Sequence, residues 1–342
     1  MHMADALLSP AVGIAMNVVS VAAIGVSVAK VKKLDLSEKM VPIMGVAGAL
    51  VFAGQMINFA IPGTGSSGHI SGGILLAGLL GGVPAFLSLA AVIIIQCLFF
   101  ADGGLLALGS NIFILGVIPC LIIYPLVFKP LLKGGAEYKR LSAASITSVV
   151  TALALGAFCV VLLTLFSGIT ALPFGTFVAL MLPIHVVIGI FEGVITAAVL
   201  CFVYKMRPEI INAAHSGERL SGVSVKKVVI MLAILAVVAG GVLSLFVSSN
   251  PDSLEWSVAK TTAQSLGAET ELEAEGAIFD GAASVQDSTA FLPDYSFAAD
   301  PDNAAGTSLS GLVGASITFT LAGAAGLAIT KIKKSKKIAE NV

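Results

Sequence analysis

The chain has 342 residues, of which 57% are hydrophobic and only 11% charged, with a mean hydropathy of +1.01. A soluble domain carries about 25% charged residues, so the composition argues against a soluble enzyme, a nucleic-acid binder and a disordered chain. The formal net charge of −1 leaves no global basic face for DNA or RNA.

A membrane span needs about 20 largely apolar residues. In chain order the candidates are 8–29, 41–60, 71–82, 85–100, 112–132, 143–166, 177–204, 228–247 and 309–329. Segment 71–82 is short and needs a re-entrant path or a glycine-rich packed setting. Gly81, Gly82 and Pro84 would end it sharply. The predicted fold class is all-α, a polytopic membrane protein of about nine transmembrane helices. Cys97, Cys120, Cys159 and Cys201 all lie in apolar runs without C-x-x-C spacing, and read as small core residues.

The basic residues orient this topology. Lys30, Lys32, Lys33 and Lys39 follow the first span, and Lys129, Lys133, Lys139 and Arg140 surround the end of the fifth. Lys205, Arg207, Arg219, Lys226 and Lys227 separate the seventh from the eighth, and Lys331, Lys333, Lys334, Lys336 and Lys337 follow the ninth. With nine alternating spans all of these share one side, and only Lys260 does not. The positive-inside rule makes that side the cytoplasm, with the amino terminus outside and the carboxyl terminus inside. Residues 1–7 hold no Lys or Arg, so the first span does not read as a cleavable signal and Met1 is expected to be the mature start.

Residues 248–308 then lie outside. They carry eleven acids and one Lys, include the run Glu269-Thr270-Glu271-Leu272-Glu273-Ala274-Glu275, and are expected to be mobile or loosely packed. The run is either a solvated loop or a weak gatherer of cations.

Of the four histidines, His215 falls in a basic cytoplasmic loop, whereas His2, His69 and His185 lie toward the outer side. Imidazole is the commonest metal ligand. At a free amino terminus, the amine of Met1, the amide nitrogen of residue 2 and Nδ1 of His2 can close five- and six-membered chelate rings. A fourth nitrogen from His69 would complete a square, which suits Ni²⁺ or Cu²⁺, with low-spin Co²⁺ also accessible. The alternative is a flexible terminus with an incidental histidine. Gln55 and Asn58 either orient such ligands or hydrogen-bond between helices. Glu192, seven residues after His185 on nearly the same helix face, either steadies the His69 loop or is a buried brace. Asp102 reads as a helix cap. Gly45, Ala49 and Ala53 recur every four residues, a small-residue stripe that serves docking of a partner helix or packing within the chain.

Here the residues carry a resemblance. The opening Met1-His2-Met3-Ala4-Asp5-Ala6-Leu7-Leu8-Ser9-Pro10 is similar to that of the cobalt/nickel substrate-capture subunits of energy-coupling factor transporters, the CbiM/NikM family. Asn58-Phe59, Ile61-Pro62-Gly63 and Ser67-Gly68-His69 resemble that family's metal loop. Segments 101–111 and 185–193 also match, and the likeness spans roughly residues 1–205. Asn250-Pro251-Asp252-Ser253-Leu254-Glu255-Trp256-Ser257 resembles the Pro-Asp-Gly-Leu-Glu-Trp motif of the small auxiliary CbiN/NikN subunit, with Ser253 in place of Gly. The resemblance implies a fusion: a metal-capture domain over 1–206, a cytoplasmic linker over 207–227 and a two-span auxiliary domain over 228–342. It implies Met1, His2 and His69 as metal ligands, with Pro251, Asp252, Leu254, Glu255 and Trp256 as the auxiliary motif.

The implied activity is capture of Co²⁺ or Ni²⁺ as transported substrate at a prokaryotic cytoplasmic membrane, in some members for cobalamin synthesis, with no organic cofactor. No G-x-x-x-x-G-K-[ST] motif is present, so ATP hydrolysis is expected in a partner chain. The implied partners are a transmembrane coupling subunit and ATP-binding subunits, besides membrane lipid, and no nucleic acid. A passive divalent-cation channel or secondary carrier is the rival reading; it calls for intramembrane acids on several helices. A metal-sensing receptor would need a larger cytoplasmic output domain.

Overall fold

The computed structural model describes residues 1–33, 39–170, 172–220, 222, 224–266, 272, 274–300 and 303–339. The described chain is mostly helical. Helix α1 (Pro10–Lys33) leads to α2 (Met40–Gln55), then a small hairpin of β1 (Phe59–Ile61) and β2 (Ser66–Gly68). Next come α3 (Gly73–Leu80), α4 (Gly82–Phe100) and α5 (Leu108–Ile112). The wide-wound stretch Phe113–Phe128 carries α5 into α6 (Lys129–Leu131). Two long helices follow, α7 (Tyr138–Ser167) and α8 (Phe174–Met206), then the short α9 (Pro208–Ser216). The last part holds α10 (Lys226–Gly241), α11 (Ser253–Leu266), α12 (Ala277–Thr289) and α13 (Ala304–Ala339).

Among the described residues, seven helices are long and apolar enough to cross a membrane: Pro10–Val31, Gly82–Phe100, Leu108–Leu131, Tyr138–Ser167, Phe174–Met206, Lys226–Phe246 and Ala304–Ala324. The chain is a multi-pass membrane protein. Two of the nine expected spans are shorter than the sequence suggests. Helix α2 stops at Gln55, after 16 residues, because the chain turns into the hairpin. Helix α3 has eight residues, about 12 Å of helix, and is buried along its whole length. Gly81, at φ +81°, separates it from α4.

Small residues set the closest packing. On α8, a Cβ at Gly189 would stand 2.9 Å from Val150 Cα and one at Gly193 2.8 Å from Ile146 Cα, so these glycines let α8 lie against α7. Pro119 and Pro125 sit inside the wide-wound stretch, where each removes a backbone donor and crowds the preceding turn. The Gly45 stripe packs within the chain. Gly45 meets Phe319 and Gly48 meets Thr318 and Ala322 of α13, while Ala49 and Ala53 are buried. Gly45, Ala49 and Ala53 are therefore buried within the chain, Gly45 against α13, and are not a free docking face for another subunit.

Two further expectations change. Within linker 207–227, α9 is amphipathic and packs inward through Ile210, Ile211 and Ala214, whose carbonyl accepts from the Tyr124 hydroxyl at 2.8 Å. His215, on α9, is half-buried rather than a freely solvated surface residue. Within the described part of 248–308, α11 docks on the first half of the chain at Ser67, so loose packing does not hold there, whereas α12 buries Gln286 alone and is largely exposed. Glu269, Thr270, Glu271 and Glu273 lie outside the described residues. All four cysteines are free thiols.

Candidate metal centre

The first ten residues pack as an anchor. Met1, Met3, Leu7 and Leu8 are all buried. Asn111 holds this segment from both sides. Its Oδ1 accepts from Met3 N at 2.7 Å and its Nδ2 donates to Met3 O at 3.1 Å. Asp5 Oδ1 accepts from Ala107 N at 2.8 Å. The chain passes so close here that a Cβ on Gly104 would fall 1.8 Å from that same oxygen, so this position needs glycine.

This anchoring delivers the amino terminus to His69. The Met1 amine stands 2.9 Å from His69 Nε2. His69 Nδ1 lies 3.0 Å from the Ile70 carbonyl, which only accepts, so Nδ1 carries the proton and the Nε2 lone pair accepts from the Met1 amine. Burial, then the charges of the terminal amine and of His2, push the His69 pKa down to about 3. The imidazole is neutral, as a metal ligand must be. The rings of His2 and His69 stack, with centroids 5.5 Å apart and planes 9° from parallel.

Two carboxylates flank these nitrogens. Asp252 Oδ2 accepts from the Met1 amine at 2.9 Å. Asp102 Oδ1 lies 3.1 Å from His2 Nδ1, and the Tyr295 hydroxyl donates to Asp102 Oδ2 at 2.5 Å. Burial would raise both carboxyls. The terminal ammonium outweighs it at Asp252, and His2 with the Tyr295 hydroxyl outweighs it at Asp102, so both stay below the ordinary carboxylate range. His2 Nε2 is buried without a hydrogen-bond partner. Asp102 is thus not a helix cap. Ala101, left-handed at φ 54°, ends α4 and turns Asp102 onto His2.

The structure brings Met1, His2 and His69 together, and gives the flanking candidates distinct places. Gln55 Nε2 donates to Ser71 O at 2.8 Å, and its Oε1 is unpartnered. Asn58 lines the neighbouring cavity, its Oδ1 likewise unpartnered. Glu192 accepts from Ser71 N, Ser71 Oγ and Gly72 N at 2.7–2.9 Å, fixing the turn just after His69. His185 stands back from the nitrogens. Its Nδ1 donates to Met181 O at 2.7 Å, and its Nε2 accepts from Ser253 Oγ at 3.1 Å.

The auxiliary motif reaches this centre directly. Asp252 Oδ1 accepts from Leu254 N and Glu255 N, while Glu255 Oε2 accepts from Asp252 N. This reciprocal capping box starts α11. Pro251 O accepts from Ser67 N at 2.8 Å, Leu254 is buried, and Trp256 packs against the core. Gln286 of α12 donates to Cys97 O and Gly103 O. Sequence reasoning named Asp252 only as part of the auxiliary motif, read Asp102 as a cap, and did not single out Asn111 or Tyr295 as site residues. Asp102 and Asp252 were visible as members of resembling motifs; nothing local marks Tyr295. A cavity of about 550 Å³ opens onto the centre, its wall including Asp5, Asp102, Asp252, Glu255, Asp280 and Asp294.

Comparison with known proteins agrees with this architecture. Residues 2–210 match the family model described as the cobalt uptake substrate-specific transmembrane region, and residues 226–331 match the PDGLE domain. A protein of Haloquadratum walsbyi named for metal transport is 35% identical over 224 residues, covering 65% of this chain and 98% of its own. One of Archaeoglobus fulgidus named for fused nickel transport, NikMN, is 29% identical over 342 residues, covering 98% of this chain and 100% of its own. A crystal structure of a transition metal transporter superposes with a TM-score of 0.53 at 28% identity, covering 63% of this chain and 97% of that one. The chain therefore belongs to the family of cobalt-uptake substrate-specific membrane proteins, here joined to a PDGLE domain in a single CbiM/NikM–CbiN/NikN type fusion.

Proposed function

We propose that this protein is the substrate-capturing subunit of an ATP-driven importer of the energy-coupling factor type, taking Co²⁺ or Ni²⁺ from outside the cytoplasmic membrane. The metal is held by the Met1 amine, the amide nitrogen and Nδ1 of His2, and Nε2 of His69. One observation carries this reading: a buried terminal amine stands 2.9 Å from an imidazole nitrogen that carries no proton and turns its lone pair to that amine. Chelation by His2 Nδ1 exchanges its contact with Asp102 for the metal.

In this reading the capture domain covers 1–206, the linker 207–227 and the auxiliary domain 228–342. The nine segments alternate, with the amino terminus outside and the carboxyl terminus inside. Helix α3 supports the alternation. It begins beside the metal centre at Gly72 and ends at Gly81 against α9 in the basic linker. The acidic cavity concentrates divalent cations before capture, and the auxiliary motif stages loading by docking on the centre. A coupling subunit and ATP-binding subunits drive release inside, and the metal serves cobalamin synthesis or nickel enzymes. Glu192 spends its carboxylate on three hydrogen bonds, which disfavours a channel lined by intramembrane acids.

The test is titration of the purified protein with Ni²⁺ and Co²⁺ by calorimetry, beside a form carrying one extra residue before Met1. The extension turns the amine into a peptide amide, so tight binding is expected only without it. Equal binding by both forms would remove the amine-amide-imidazole site and return the channel reading.

A further inference from the structure

We propose that Asp252 of the auxiliary domain is a fifth ligand to the captured metal, its Oδ2 binding beside the four nitrogens. The inference rests on the nitrogen site proposed above and adds an anionic oxygen to it. Two cis donors bound to a first-row divalent ion at about 2.0–2.1 Å stand roughly 2.8–3.0 Å apart. The Met1 amine is 2.9 Å from His69 Nε2 and 2.9 Å from Asp252 Oδ2. Both separations fit edges of one coordination polyhedron that shares the amine as a corner.

The carboxylate is held in this place from several directions. Its Oδ1 is committed to the backbone amides of Leu254 and Glu255, which leaves Oδ2 aimed at the amine. On one side, Pro251 O takes the Ser67 amide proton and Asn250 O takes the Ser67 hydroxyl proton. On the other, the Ser253 hydroxyl meets Nε2 of buried His185. These contacts tie both neighbours of Asp252 to the capture domain.

Charge balance gives the oxygen a reason to bind. Without metal, Oδ2 accepts a proton from the terminal ammonium. On loading, the amine lone pair goes to the metal and its proton leaves to solvent. Oδ2 would then face a neutral amine in place of an ammonium, a charged oxygen that has lost its ion-pair partner, which is costly away from water. Binding the cation removes that cost. A planar four-nitrogen ion becomes five-coordinate, and sites with an added oxygen donor are less selective for Ni²⁺ over Co²⁺ than planar nitrogen sites.

The experiment is X-ray absorption at the metal edge on the full chain loaded with Ni²⁺ alone. Planar four-coordinate Ni²⁺ shows a separate 1s→4pz feature below the edge, and axial ligation suppresses it. The native protein is expected to lack the feature and Asp252→Asn to gain it, with affinity falling about tenfold, at the low end of changes around metal sites. A planar feature in the native protein overturns the proposal without recourse to any variant. So does a native spectrum unchanged in Asp252→Asn. Failure of the nitrogen site reads differently: His69→Ala or an extension before Met1 would leave binding intact.

Discussion

Glu192 and Ser71 are joined by two hydrogen bonds across 121 residues, one from the Ser71 amide at 2.7 Å and one from its hydroxyl at 2.8 Å. A third comes from Gly72. This carboxylate therefore closes the start of α3, two residues after His69. Glu192→Ala leaves three buried donors without an acceptor, at a cost of at least about 2 kcal/mol. The thermal midpoint of the detergent-purified protein should fall, and metal affinity with it. An unchanged midpoint would show that the turn needs no clamp.

Asn111 is not itself a proposed ligand, yet both its amide atoms hold Met3. Asn111→Ala frees the segment that carries the amine and His2. Metal affinity should drop roughly 10–100-fold, as when supporting partners of a ligand are lost. Calorimetric titration with Ni²⁺ measures it, and affinity equal to the native protein's would mean that Met1 and Met3 seat the terminus by packing alone.

Gly314 of α13 faces the Phe52 ring, and a Cβ there would fall 2.0 Å from it. Phe52 has little room to retreat. It packs on Phe100 and Tyr295, and Tyr295 holds Asp102. Gly314→Ala is expected to cost about 1–3 kcal/mol of stability and to weaken metal binding through Tyr295. A stability loss without any change in metal binding would break that chain of contacts.

Loading should release protons. The terminal ammonium and the amide of His2 each give one up to bind, about two in all. His69, pushed down to about 3, is already neutral and adds none above about pH 5. Affinity therefore rises with pH. Calorimetry at pH 7 in buffers of different ionisation enthalpy counts the protons, and a count near zero would argue against the amine-amide chelate.

The Ser253 hydroxyl is the only side-chain change this chain makes inside its Pro-Asp-x-Leu-Glu-Trp motif, and it reaches His185. Ser253→Ala leaves that imidazole nitrogen without a donor and should loosen the docked motif by about 1–3 kcal/mol. Hydrogen exchange at the Ser67 amide, which donates to Pro251, should then quicken by tenfold or more. Exchange at the native rate would mean that Ser67 and Asp252 hold the motif unaided.

The apolar runs, the Met1-His2 opening, the His69 loop and the auxiliary motif were legible in the sequence because each is local. Where α2 ends was not, because the apolar residues 56–61 belong to a turn and a hairpin that hydropathy alone cannot separate from helix. The Gly45 stripe announced close packing without naming α13 as its partner. Residues 248–308 read as loose because they lack a core of their own. The described ones are held by contacts such as Gln286 to Gly103, made across 183 residues. The roles of Asp102 and Tyr295 were not legible for a like reason, since they come from partners distant in sequence, His2 and Tyr295 for Asp102 and Asp102 for Tyr295.

The helical α9 in the linker has a consequence for how tightly the two halves must bind. When two modules share one chain, docking of the second is intramolecular, at an effective concentration in the millimolar range for a short linker. Contacts as modest as Ser67 to Pro251 or Ser253 to His185 then suffice, since the tether has already removed the translational freedom that separate subunits would have to lose. Were Ser67 and Asp252 to part, the module would stay within reach, and the ratio of motif to metal centre remains one to one however little of the protein the cell makes.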